Sequence, residues 1–354
     1  MLRRVLNQAA SHFDNAARKA IFHRSALSRD DVRTEALGHT DRLRQLASIT
    51  ALYDRPEHYV DAGGFFPAPP AIDPRLVRVR KIKGGEVLDA TWASGFMLHC
   101  DEIAPRYLWH TENRVAAARL FLHDGPARPA VLLIHGYRCG QWSIEERVWP
   151  IDWLFERGLD VVIPVLPFHA VRSPRGGAAL FPSSDPRMTV EGFRQSMHDL
   201  RALMDLLRAR GASAAGAMGM SLGGYTTSLL ATIDEKLDFA VPMIPLASIA
   251  DLARTGGRFV GDREQQQLQF DGLEAALRVV SPLARPSRID GDRVLILAAA
   301  GDRITPPTHG RWLADHFGAP LTTFHGGHLL QFGRAQGFRA AVKMLGRLGL
   351  LSSR

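Results

Sequence analysis

Residues 215–228 read Ala-Gly-Ala-Met-Gly-Met-Ser-Leu-Gly-Gly-Tyr-Thr-Thr-Ser. An apolar, small-residue run over 214–220 leads into Ser221, and a helix-compatible run over 222–233 leads out of it. Gly219, Ser221 and Gly223 make a G-x-S-x-G pentapeptide. A serine at so sharp a strand-to-helix turn takes a strained backbone conformation that lifts its hydroxyl above the sheet. The glycines let strand and helix approach where a Cβ would block them. The helix start offers free N–H groups to a developing negative charge. Three fixed positions give about 0.1 chance matches in a chain this long. The pentapeptide alone therefore also reads as a Gly-rich turn in which Ser221 merely caps a helix, and the rest of the chain must decide.

The chain has 354 residues, 46% hydrophobic and 23% charged, ordinary values for a globular protein. That length holds one large α/β domain plus extras, or two domains. Cys100 and Cys139, the two cysteines, make no disulfide framework and fit a reducing compartment. No apolar run reaches the length of a membrane span. The opening Met-Leu-Arg-Arg-Val-Leu-Asn-Gln lacks the apolar core of a signal peptide, so a cytoplasmic location is expected. The net charge of +8 comes from arginines spread along the chain, with no dense basic block among aromatics. Nucleic-acid binding is not expected.

Residues 1–75 read as a helical extension and linker. Leu2, Val5, Leu6, Ala9, Ala10 and Phe13 recur at the spacing of one helix face, with Arg3, Arg4, Arg18 and Lys19 nearby. This is either a helix packed on the main domain or a basic amphipathic helix lying on a membrane surface; the first is preferred. A second helix is predicted over about 30–53, before Pro56. Residues 61–75 are loop by composition, with Phe65 and Phe66 either packing across a cleft or sitting in a plain linker.

Strand-like runs at 76–82, 86–93 and 114–122 read as leading antiparallel strands. From 130 the rhythm is βα: strands at 130–134, 160–166, 214–220, 239–244, 293–298 and 321–324 alternate with helices at 149–157, 189–210, 222–233, 308–317 and 332–348. Such alternation implies a mostly parallel, doubly wound sheet over 76–350 with helices on both faces. Residues 248–290 interrupt it.

Acyl transfer by serine needs a base, a carboxylate to orient that base, and donors for the oxyanion. Each is expected at the carboxyl end of a strand. His328, in Phe-His-Gly-Gly-His-Leu-Leu, lies just past the last strand and is the candidate base; His325 is a rival closer to the strand. Asp302, in Ala-Gly-Asp-Arg-Ile-Thr-Pro-Pro, follows the strand at 293–298 and is the candidate acid, although an Asx turn before two prolines explains it too. Asp290 and Asp292 lie at the wrong end of that strand. The backbone N–H groups of Leu222 and of Tyr137, in His-Gly-Tyr-Arg-Cys-Gly after the strand at 130–134, are the candidate oxyanion donors. His135 is expected to orient that loop and to border the pocket, and Cys139 to be a bystander.

These placements make the chain resemble the α/β-hydrolase fold serine hydrolases, over about 76–350. The resemblance rests on His135-Gly136-Tyr137, Gly219-x-Ser221-x-Gly223, Gly301-Asp302-x-x-x-Pro306 and Gly327-His328. It implies a nucleophile at Ser221, a base at His328, an acid at Asp302, an oxyanion hole at Tyr137 and Leu222, and a small helical lid at about 248–290. Pro167-Phe168-His169-Ala170-Val171-Arg172-Ser173-Pro174 is similar to the Pro-aromatic-x-x-x-Arg-x-Pro stretch of the domain-18 type of α/β-hydrolase-domain proteins. Phe168, His169 and Arg172 are accordingly expected near a substrate pocket, and residues 176–186 to add an apolar patch. The expected reaction is hydrolysis of a small-molecule carboxylic ester. Thioesterase, amidase, peptidase or membrane-peripheral lipid hydrolase activity stands as the alternative, with a non-catalytic binding protein less favoured. Neither HExxH nor a CxxC pair occurs, and no metal or organic cofactor is expected.

Overall fold

The computed structural model describes residues 2–21, 29–174 and 180–351. It opens with α1 (Leu2–Ile21), α2 (Arg29–Glu35) and α3 (His39–Tyr53), followed by single turns α4 (Glu57–Val60) and α5 (Ala62–Phe65). Residues 22–28 of the expected helical stretch lie outside the described residues. Where one helix is predicted over 30–53, the chain breaks at Gly38, whose extended backbone (φ −71°, ψ 170°) starts α3 afresh. The expected loop at 61–75 contains α5, capped by the Asp61 carboxylate accepting from Gly63 N–H at 2.8 Å. Phe65 and Phe66 are buried and meet edge to face.

After the linker come β1 (Arg75–Ile82), β2 (Gly85–Ala93), α6 (Ala104–Leu108) and β3 (Val115–His123), then β4 (Ala130–Ile134). Where a helix is predicted over 149–157, the chain forms an unexpected α7 (Trp142–Val148) and then α8 (Ile151–Phe155), because Pro150 has no N–H to donate and holds Trp149 extended (ψ 146°). The remainder alternates: β5 (Asp160–Pro164), α9 (Pro186–Ala209), β6 (Ala215–Met220), α10 (Leu222–Ala231), β7 (Ala240–Met243), α11 (Ile249–Thr255), α12 (Arg263–Leu277), β8 (Ile296–Ala299), α13 (Pro307–Phe317), β9 (Leu321–Phe324) and α14 (Arg334–Arg347).

The nine strands form one sheet in the order β1-β2-β3-β5-β4-β6-β7-β8-β9. β1, β2 and β3 are antiparallel, β3 meets β5 antiparallel, and all pairings from β5 to β9 are parallel. Every residue of β4, β5, β6, β7 and β8 is buried. Strands buried on both faces require a helical layer on each. Alternation along β4 shows the two layers: Leu132 and Ile134 pack toward Leu203 and Leu229, Val131 and Leu133 toward Phe338 and Met344. The parallel strands point their carboxyl ends at one rim, where the connecting loops gather.

Above that rim, the interval 248–290 packs on the N-terminal extension. Gly272 of α12 admits the Leu46 side chain of α3. Arg42 of α3 donates to the Arg258 and Leu37 carbonyls, and Glu35 pairs with Arg258 at 2.6 Å. Extension and insertion thus make one roof.

α1 docks differently from the expected apolar stripe. Val5 and Phe13 are about half exposed, whereas Ala10 and Asp14 are buried. The inward face is Asn7, Ala10, Ser11 and Asp14, at i, i+3, i+4 and i+7. Ser11 Oγ donates to the Gly301 carbonyl at 2.7 Å, and Gly326 N–H donates to Asn7 Oδ1 at 2.8 Å. Among the described residues no helix is long and apolar enough to cross a membrane.

Candidate active site

Ser221 stands between β6 and α10 with φ 56° and ψ −112°. A non-glycine residue in that region carries about 1–3 kcal/mol of strain and persists only when its surroundings over-determine it. Here they do. Ser221 N–H donates to the Met243 carbonyl at 3.0 Å, and its own carbonyl accepts from Tyr225 N–H at 3.0 Å and Leu246 N–H at 3.3 Å. A Cβ on Gly219 would overlap the Gly223 carbonyl, and one on Gly223 would overlap the Ile134 carbonyl. Only glycines let the turn close this tightly.

Ser221 Oγ lies 3.0 Å from His328 Nε2, and His328 Nδ1 lies 2.8 Å from Asp302 Oδ2. The loops after β8 and β9 bring the acid and the imidazole to the serine. Asp302 is buried, and its Oδ1 accepts from the N–H groups of Ile304 and Thr305 at 2.9 and 2.8 Å. This is the Asx turn that the local sequence suggested, and it aims the other oxygen at His328. Thr305 Oγ1 sits within 3.1 Å of Asp302 Oδ2, 3.0 Å of His328 Nδ1 and 2.9 Å of the Ile244 carbonyl. Thr305 is a site residue that the motifs do not mark, although its place three residues after Asp302 is a usable signal. His325 instead packs against Gly333, whose N–H donates to the His325 carbonyl.

Burial alone would lower the His328 pKa. The charge of Asp302, its hydrogen bond and the charge of Asp14 outweigh burial, so the value is raised above the ordinary 6.5. Asp14 belongs to α1, and its Oδ2 accepts the His328 backbone N–H at 2.6 Å.

The loop after β4 faces the serine from the other side: a Cβ on Gly136 would lie 3.6 Å from that of Ser221. The Leu222 N–H, first in α10, has no intrahelical acceptor. It and the neighbouring Tyr137 backbone are the groups expected as oxyanion donors. His135 Nε2 accepts from Leu166 N–H at 3.0 Å, which leaves Nδ1 to donate to the Gly136 carbonyl at 2.8 Å. Burial, with the neighbouring His169, pushes the His135 pKa down to about 3, so the ring stays neutral. Cys139 also borders the cavity, and burial with the Glu145 charge pushes its thiol up to about 11.

Of the residues expected in a substrate pocket, His135 lines the cavity beside Ser221; Phe168, His169 and Arg172 do not. They fold inward beneath the sheet rim, where the Arg172 Nη groups and His169 Nδ1 find partners, while His169 Nε2 and Arg172 Nε stay buried without one. Arg172 Nη2 pairs with Asp199 at 2.8 Å and Nη1 donates to the Val165 carbonyl at 2.9 Å. Phe168 packs edge to face on Tyr107, and His169 packs 5.0 Å from His135 and supports it from behind. Of the expected apolar patch, residues 176–179 lie outside the described residues, and Phe181 is buried against Phe193. Ser183 and Ser184 of that segment do reach the cavity.

The cavity at Ser221 measures about 870 Å³. Its walls are largely apolar: Leu46 from α3, Leu246 from the loop after β7, Leu252 and Phe259 from the insertion, Ile304 and Leu329 from the loops carrying Asp302 and His328. Glu35, Arg42 and Arg258 stand at its polar end. The extension thus contributes to the cavity, although nothing local in residues 34–46 marks a wall. Among the described residues no group of three or more His, Cys, Asp or Glu side chains is arranged to hold a metal ion.

No family model matches the chain. Two curated, uncharacterized proteins of Mycobacterium tuberculosis, from strains CDC 1551 and H37Rv, are each 32% identical over 277 residues. The match takes in 75% of this chain and 65% of theirs, so the chain spans about 65% of the length of these relatives. Among solved structures, an acetyl xylan esterase from Paenibacillus sp. R4 superposes with a TM-score of 0.57 at 14% identity, over 85% of this chain and 98% of that one. Acetyl xylan esterase 1 from Thermoanaerobacterium sp. JW/SL YS485 gives 0.54 at 16% identity, over 88% and 94%. At these identities the likeness is one of architecture, and it agrees with the strand order and the serine turn described above: the chain has the α/β-hydrolase fold.

Proposed function

We propose that this chain is a serine hydrolase of carboxylic esters, with Ser221 as nucleophile, His328 as general base and Asp302 as orienting acid. The observation that carries the reading is the unbroken relay from Ser221 Oγ through both nitrogens of His328 to Asp302, at 3.0 and 2.8 Å, opening on an apolar cavity.

In this reading His328 Nε2 takes the Ser221 proton as Oγ bonds to the ester carbonyl carbon. The carbonyl oxygen becomes an oxyanion beside the N–H groups of Leu222 and Tyr137, each worth about 3 kcal/mol to the transition state. The imidazolium returns its proton to the departing alkoxide, leaving an acyl-serine. Water then gives a proton to Nε2 and its OH to the acyl carbon; the bond from that carbon to Oγ breaks, Nε2 returns the proton to Oγ, and the acid leaves with Ser221 and His328 restored. Asp302 keeps the Nδ1 proton in place throughout, and its charge stabilises the imidazolium. The apolar walls favour an acyl group with a sizeable hydrocarbon part. Thioesters and amides are cleaved by the same machinery; esters are preferred because their leaving group makes the least demand on the site.

A fluorophosphonate probe tests the reading, with the wild type beside Ser221→Ala, followed by p-nitrophenyl esters from acetate to palmitate and a p-nitroanilide. Labelling that disappears in Ser221→Ala, with ester turnover rising beyond acetate, is the expected result. A folded wild type that neither labels nor turns over any of these overturns it.

A further inference from the structure

We propose that Asp14 is a positioning residue for the candidate triad: from α1 it ties the loop carrying Asp302 to the loop carrying His328 and sets the angle and charge at which the imidazole meets Ser221. The proposal rests on the reading of Ser221, His328 and Asp302 given above and extends it to the N-terminal helix.

Asp14 is fully buried. Its Oδ2 accepts from the N–H groups of His328 at 2.6 Å and Arg303 at 3.2 Å, and its Oδ1 accepts from Leu329 N–H at 3.1 Å. One carboxylate thus holds the backbone of the base, of the residue after it, and of the residue after the acid. Hydrogen bonds from backbone donors to an ionised acceptor are among the stronger ones a protein makes. The two loops also touch directly, Gly301 N–H donating to the Gly326 carbonyl at 2.7 Å, and α1 lies across that join.

The glycines beside the triad point the same way. A Cβ on Gly301, immediately before Asp302, would press on the Asn7 carbonyl and Ser11 Oγ. A Cβ on Gly327, immediately before His328, would press on the Asp14 carboxylate and Ala10. Both loops therefore lack a side chain where α1 must come close. The charged groups acting on the His328 ring are Asp302 and Asp14, with burial opposing them. Ser221 and Thr305 supply the neighbouring hydroxyls. A residue that only glued a helix to the surface would not need its charge so near the base.

The test uses the full chain as wild type, Asp14→Asn and Asp14→Glu. Two readouts are taken: the rate of fluorophosphonate labelling across pH, and the NMR titration of the His328 ring, which needs no turnover. Asp14→Asn keeps the size, removes the charge and sets an NH2 donor against a backbone N–H that Asp14 now accepts, so it loosens the anchor as well. It is expected to lower the His328 pKa, move the acidic limb of labelling to lower pH and slow labelling at neutral pH about tenfold. Asp14→Glu keeps the charge and displaces the anchor; labelling slows while the His328 titration stays raised. An Asp14→Asn protein with the wild-type His328 titration and labelling profile overturns the proposal. If Asp14→Asn does not fold, Asp14→Glu decides, and wild-type labelling in that variant overturns it. A wild type that does not label defeats the reading of Ser221 separately, while the ring titration still tests Asp14.

Discussion

Arg258 Nη1 lies 2.6 Å from each carboxylate oxygen of Glu35, across 223 residues of sequence. Ser184 Oγ donates to the same carboxylate at 2.8 Å, and Arg42 bonds the Glu35 and Arg258 carbonyls. Extension, insertion and the loop before α9 therefore meet at Glu35, at the polar end of the cavity. The Glu35 and Arg258 side chains are 13% and 16% exposed, so water screens the pair only partly. Glu35→Gln removes the charge that gathers these segments. It is expected to cost about 2 kcal/mol of stability, less than a fully buried pair would. It should also raise KM for long-chain esters with little change in kcat on acetate. Urea denaturation and paired kinetics check this, and an unchanged midpoint would mean that the Glu35–Arg258 pair does not hold these segments together.

The strained serine turn predicts a separation of stability from activity. Ser221 holds φ at 56°, which glycine adopts freely. Ser221→Gly should stabilise the chain by about 1 kcal/mol and reduce kcat about 10⁴-fold or more. Gly219→Ala should do the reverse of the first effect. Its Cβ would meet the Gly223 carbonyl and Thr227 Oγ1, atoms that cannot yield without moving α10, so a loss above about 3 kcal/mol is expected. Thermal melts of the two variants beside the wild type give the comparison; a stabilised Gly219→Ala would mean that the turn is looser than its geometry.

What the sequence made legible follows from how local the signal is. β4 and β9 fall at 130–134 and 321–324 as predicted, because short apolar runs between turn residues are decided by their own side chains. Ser221, Asp302 and His328 meet because each closes a strand whose end was readable. Periodicity failed on α1: it counts apolar residues, and the helix docks through Asn7, Ser11 and Asp14, whose partners lie 289–319 residues away. Phe168, His169 and Arg172 looked exposed to a pocket because nothing local announces Asp199, the partner that draws Arg172 under the rim. The roof was unreadable for the same reason, since α3 carries no mark of its contact with α12.

The raised His328 pKa fixes the sign of the pH dependence. In the proposed mechanism His328 acts as base only when neutral, so kcat/KM should rise with pH through a limb above the ordinary 6.5. His135 and His169 do not produce this limb, because burial pushes them down to about 3 and about 4. Stability moves the other way. A histidine raised by folding contributes stability that is fully present below 6.5 and is lost as pH rises through the folded value. Activity should therefore appear in the window where that contribution fades. Asp302→Asn removes the largest influence raising the imidazole; the limb should move to lower pH and the rate fall about 10⁴-fold. A kcat/KM profile that is flat between pH 5 and 8 would contradict the assignment of His328 as base.

The cavity makes the last prediction, on acyl chain length. Ala253 of α11 lines the space beside Leu252 and Phe259, and it is the smallest side chain on that wall. Ala253→Phe adds a ring where the structure has room of about 870 Å³, so the fold need not adjust. If the acyl group lies along this wall, the ring takes the place of its distal carbons, each buried CH₂ being worth about 0.8 kcal/mol. Losing two such groups costs the long ester about tenfold in kcat/KM, while acetate, which does not reach α11, keeps its rate. The p-nitrophenyl series on wild type and variant reads this directly. A uniform loss across chain lengths would place the acyl group elsewhere in the cavity, toward the Glu35 and Arg258 end.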